Sequence, residues 1–85
     1  MGDTEDSIRQ VLAEVTNCPA DAPANADLYH ELGVASVQAI MLLTELEETF
    51  GIHIPDDQFI GARSISQLVG MMDGLSRNQS VSPND

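Results

Sequence analysis

The chain reads as a small all-α protein, a four-helix bundle of three main helices and one short helix with a long first loop. Three observations point there. Apolar residues recur at i, i+3, i+4 and i+7 in separate segments, the period of helices that each bury one face. Serine, aspartate, glycine and proline fall at the ends of those segments, where helices start and stop. Only Ile52-His53-Ile54 alternates in the manner of a strand, and it is too short to be one. With 85 residues there is room for one domain, expected over residues 1–75, followed by a polar, flexible tail over 76–85.

The elements follow in chain order. Residues 3–16 place Ile8, Val11, Leu12 and Val15 on one helical face. Asp3 or Thr4 can cap this helix, and Glu5 and Asp6 suit the positive end of its dipole. Residues 17–35 hold Pro19, Pro23 and several Ala, Asn and Asp, and read as a long loop. Leu28 and Leu32 can pin that loop to the core, and Gly33 offers a positive-φ corner. Cys18, just before Pro19, reads as an exposed loop thiol. Residues 36–50 make the strongest helix, with Ser36 as its N-cap and Gly51 as its stop. Asp56 can cap a short helix ending near Ile60. The last helix spans about 64–73: Ser64 and Gln67 have capping-box spacing, Ile65, Leu68, Val69 and Met72 form its stripe, and Gly74 closes it.

Charge narrows the function. Fourteen acidic residues face three arginines, for a net charge of -11. Such a surface repels nucleic acid and anionic membranes, and favours protein partners with basic patches. A single cysteine excludes an internal disulfide framework. No apolar run is long enough to span a membrane, and the acidic N-terminus does not resemble a signal peptide. A cytoplasmic, monomeric protein is expected.

On a wheel of 100° per residue, Ala39, Leu42, Leu43, Leu46 and Phe50 share an arc of roughly 100°, the width of a core-facing stripe. Ile40 sits on its border. Val37, Met41, Thr44 and Glu48 fall opposite, flanked by Glu45 and Glu47. Scattered surface apolar residues are normal. The other reading is a docking patch, an apolar spot ringed by carboxylates and matched to a partner with an apolar centre and arginines around it. Ser36 likewise has two compatible readings, a helix cap and a modification site. A phosphate ester there would meet open backbone N–H groups and a favourable dipole.

The run Asp27-Leu28-Tyr29-His30-Glu31-Leu32-Gly33-Val34-Ala35-Ser36-Val37, followed by Leu46-Glu47-Glu48-Thr49-Phe50-Gly51-Ile52-His53-Ile54-Pro55-Asp56-Asp57, resembles the acyl carrier protein family over about residues 4–75. The resemblance implies a four-helix bundle with 4′-phosphopantetheine on Ser36, installed from coenzyme A by a phosphopantetheinyl transferase. The thiol of that arm would hold acyl or aminoacyl groups as thioesters. Further implied partners are an acyl- or amino-acid-loading ligase and downstream transferases, docking through basic patches on Val37, Met41, Thr44, Glu45, Glu47 and Glu48. The sequence departs from the family pattern at four places. Ala35 replaces the usual Asp before the serine, Val37 the usual Leu after it, and Gln38 and Met41 stand at positions that are usually acidic. The segment Ala35-Ser36-Val37-Gln38 looks more like the discrete aminoacyl carrier proteins.

Enzyme readings find little support. His30 and His53 lie in separate loops without metal-ligand spacing, and no nucleophile, base and acid are arranged as a triad. Asp56 and Asp57 imitate a carboxylate pair but suit helix capping. The rival to a carrier is an acidic helical interaction module that uses the same outer face without a prosthetic group.

Overall fold

A computed structural model describes residues 3–80. It holds four helices and no strand among those residues: α1 Asp3–Val15, α2 Ser36–Phe50, α3 Asp56–Gly61 and α4 Ile65–Ser80. Helix α1 packs against both α4 and α2, and α3 leans on α4. The expected stripes converge on one core. Ile8 and Leu12 of α1, Leu42 and Leu46 of α2, and Ile65, Leu68 and Met72 of α4 are all fully buried. Leu28 from the first loop and Ile54 from the second close the core at its ends. Helix α1 already includes Thr4, so the expected cap at Thr4 is corrected, and the side chain of Asp3, the other expected cap, lies outside what the structure describes.

Helix starts and stops follow the sequence in part. Gly51 ends α2 with φ 67°, and its N–H donates to the Glu47 carbonyl at 2.8 Å. Ser64 caps α4: its Oγ accepts the Gln67 N–H at 3.2 Å, and Gln67 Oε1 accepts the Arg63 N–H at 2.7 Å. Three expectations are corrected. The cap position of α2 is held by Ala35 and that of α3 by Pro55, so Ser36 and Asp56 are each the first residue inside their helix. The last helix does not stop at Gly74 but continues to Ser80. Leu75 explains this. It extends the stripe of Leu68 and Met72 and is buried, which stabilises by about 1.5–3 kcal/mol and outweighs a helix glycine's cost of about 1 kcal/mol. The expected tail therefore loses residues 76–80 to helix, and residues 81–85 lie outside the described ones.

The long first loop is tightly held. Arg9 Nη1 donates to the carbonyls of Ala20 and Ala22 at 3.0 and 2.7 Å, while its Nε pairs with Glu5 at 2.8 Å. Asp27 Oδ1 accepts the N–H groups of Tyr29 and His30 at 2.9 and 2.8 Å, which shapes a turn that Gly33 completes with φ 76°. Two backbone bonds tie the loop to the start of α4, from Leu28 N–H to the Arg63 carbonyl and from Ser66 N–H to the Ala24 carbonyl. The expectation of an exposed thiol at Cys18 is also corrected, because the residue is drawn in with the loop. The thiol is buried, with Sγ 3.9 Å from the Leu32 carbonyl, and packs as a small apolar group.

Candidate functional site

Helix α2 starts bare. Ala35 is extended, with φ -84° and ψ 158°, and has no side-chain oxygen to offer the first turn. Only half of a capping box forms, with Gln38 Oε1 accepting the Ala35 N–H at 2.9 Å. No acidic residue stands in the first turn. Ser36 is exposed, and its hydroxyl makes no hydrogen bond among the described residues. The hydroxyl thus projects at the positive end of a helix, beside N–H groups that no side chain covers.

Ser36 also lines a groove of about 750 Å³ between the first loop, α2 and α3. Buried Val34 and Phe59 form its base, and Ile40 and Ile60 flank it, 65% and 68% exposed. Its polar wall is Tyr29, His30, Arg63 and Asp56. Arg63 is locked in place. Its Nε and Nη2 donate to the two carboxylate oxygens of Asp27 at 2.9 and 3.3 Å, and its guanidinium lies 4.8 Å from the Tyr29 ring centre. The His30 N–H bond and then the Arg63 pair hold the Asp27 carboxyl down to about 2. Burial pushes the Tyr29 hydroxyl up from its ordinary range.

The residues of the expected docking face divide. Val37 and Met41 are 64% and 49% exposed, outside the core as the wheel placed them. Thr44 and Glu48 are exposed beside them, and Glu45 is half-buried. Glu47 turns another way: its Oε2 accepts the Ile54 N–H at 2.8 Å and lies 3.3 Å from His53 Nδ1. It clips the second loop to α2, so only part of its charge faces outward. The wheel put Ile40 on the core border, but it opens onto the groove with Ile60. The signal for Ile60 was the Phe59-Ile60 pair in a helix of six residues, which can turn only one of two neighbours inward. His30 is exposed and stands in the groove wall, and the described residues contain no metal-ligating cluster.

The family profile described as a phosphopantetheine attachment site matches residues 6–72. The chain is similar to the acyl carrier protein of Campylobacter hominis, 31% identical over 75 residues that cover 87% of this chain and 95% of that one. It is equally similar to that of Zymomonas mobilis, 31% identical over 74 residues that cover 86% and 95%. A stretch of a nonribosomal peptide synthetase of Beauveria bassiana is 39% identical over 70 residues, which cover 81% of this chain and 1% of that protein.

Proposed function

The chain belongs to the acyl carrier protein family, whose members bear covalent 4′-phosphopantetheine and are not themselves catalysts, and on that premise we propose that Ser36 is where the arm attaches. The observation that supports this is the Ser36 hydroxyl itself, exposed, unbonded and set at the first turn of α2 on the rim of an apolar groove. The fit is chemical as well as steric. A phosphodiester at Ser36 would sit by the uncapped N–H groups of α2, which no side-chain oxygen or acidic residue occupies. The arm supplies the thiol that carries cargo as a thioester, and the chain's own thiol, Cys18, is buried. In attachment, Ser36 Oγ forms a bond to the pantetheine-bearing phosphorus of coenzyme A while the pyrophosphate P–O bond on its adenosine side breaks and adenosine 3′,5′-bisphosphate leaves. The hydroxyl proton passes to a base of the transferase.

Partner enzymes dock on the outer face of α2. Val37 and Met41 provide the apolar centre, Thr44, Glu45 and Glu48 the polar and acidic border, and Glu47 contributes at its edge. The partners are a phosphopantetheinyl transferase, an acyl- or amino-acid-loading ligase and the transferases that follow it. The protein acts as a monomer in the cytoplasm. The reading of an interaction module without a prosthetic group is set aside by the family match.

The test is intact mass after incubation with coenzyme A and a broad-specificity transferase. One phosphopantetheine is added to the wild type and none to Ser36→Ala. Addition to the variant would move the site elsewhere.

A further inference from the structure

Taking the attachment at Ser36 as given, we propose that the groove beside it receives an aminoacyl cargo, with Asp56 as the carboxylate that pairs with the cargo's ammonium group. The groove is of small-ligand size, and Ser36 on its rim would tether whatever enters it. Its lining separates into an apolar base and a polar wall, which suits a cargo with a short apolar side chain and one charged end.

The sign of that end follows from the wall. Arg63 is the one permanently cationic side chain there, and Asp27 already takes two of its donors at 2.9 and 3.3 Å. Its charge is therefore largely offset from behind. Asp56 is the one carboxylate in the wall, it is exposed, and it makes no hydrogen bond or ion pair among the described residues. The side-chain polar atoms of Tyr29 and His30 make no hydrogen bond among the described residues and complete a rim that can accept from an N–H donor. Beyond the groove the chain carries a net charge of -11, so the surrounding field also favours a cation. The apolar base beneath strengthens such a pair relative to open water. A carboxylate-bearing cargo would meet Asp56 beside an Arg63 whose charge Asp27 already largely offsets, and a plain acyl chain would use the base alone.

The test loads alanyl-amide and propionyl-amide analogues of phosphopantetheine from the corresponding coenzyme A derivatives, in which an amide replaces the labile thioester. Intact mass confirms each product. A 13C-labelled alanyl group is then titrated by NMR on the wild type, on Asp56→Asn and on Asp57→Asn. Asp57 has the same charge and helix but lies outside the groove lining. The cargo ammonium should titrate higher on the wild type than on the free arm, and Asp56→Asn should lower it by about 0.2–0.7 of a pKa unit, the size of an exposed ion pair. Asp57→Asn should lower it clearly less. Amide signals of Tyr29 and Ile60 should move more with alanyl than with propionyl cargo. Equal titration on the wild type and Asp56→Asn, or equal lowering by both variants, overturns the proposal while leaving the carrier intact. Absence of any added mass overturns the carrier reading, and this inference with it.

Discussion

Two helices of this protein begin next to a serine, and the two beginnings are built in opposite ways. At α4, Ser64 is buried, its hydroxyl caps Gln67, and the flanking backbone is stitched to the first loop through Leu28 and Ser66. At α2, Ser36 is exposed and unbonded, and the cap position beside it is an alanine. One serine is consumed by the fold, and the other is presented to solvent at a helix end that has given up a cap worth about 0.5–2 kcal/mol. A serine at a helix start is therefore informative about function only once its hydroxyl has been followed to a partner or to none.

That contrast can be broken at several points. The largest effect should come from the side of α4. Leu68→Ala empties a fully buried position and should cost about 2–5 kcal/mol, whereas Met41→Glu on the open face of α2 should stay within about 0.5 kcal/mol and change partner kinetics instead. Chemical denaturation of both variants with one partner assay decides this, and a large loss for Met41→Glu would return that residue to the core. Next come the serines. Ser64→Ala should cost about 0.5–2 kcal/mol and leave phosphopantetheine addition unchanged. Ser36→Ala should melt like the wild type and abolish the addition. Supplying the missing cap should then work in reverse. Ala35→Asp should raise stability by about 0.5–1 kcal/mol, or roughly 2–8 °C in Tm, read by calorimetry. An unchanged melt would mean that the first turn of α2 is satisfied some other way.

The smallest effect is a slope in pH. Asp27 is held at about 2 in the folded chain against an ordinary 3.8. Because the folded value is the lower one, its contribution is complete above 3.8 and is lost as pH falls toward 2. Asp27→Asn should flatten stability over that window while leaving its slope above pH 5 unchanged. Parallel acid-melting curves for the two proteins would show that the carboxylate's bonds to the His30 N–H and to Arg63 contribute nothing measurable.

What the sequence disclosed was what is local. The stripes of α1, α2 and α4 are visible because a helix repeats its face every 3.6 residues, and Gly51 ends α2 because only a positive φ closes that turn. The exposed serine and the outer position of Val37 and Met41 follow from the same geometry. Hidden were the features set by residues distant in the chain. Arg63 meets Asp27 across 36 positions, and that link, invisible to any local pattern, shapes the polar wall of the groove. Gly74 has the form of a stop signal, and only the packing of Leu75 overrides it. Cys18 sits between polar neighbours and a proline, and nothing local shows that Arg9 gathers the loop above it.

The arginine bonds have a consequence for how visitors are told apart. Arg9 and Arg63 both spend their positive charge inside the fold, on loop carbonyls and on Glu5 and Asp27. From a distance the protein, with a net charge of -11, thus presents a strongly negative field that attracts cationic surfaces in general. Such a signal carries no address. On the proposed docking face, discrimination among partners would then fall to the close-range fit of Val37 and Met41. Added salt should then slow every partner's approach by a similar factor and leave the ranking among them intact.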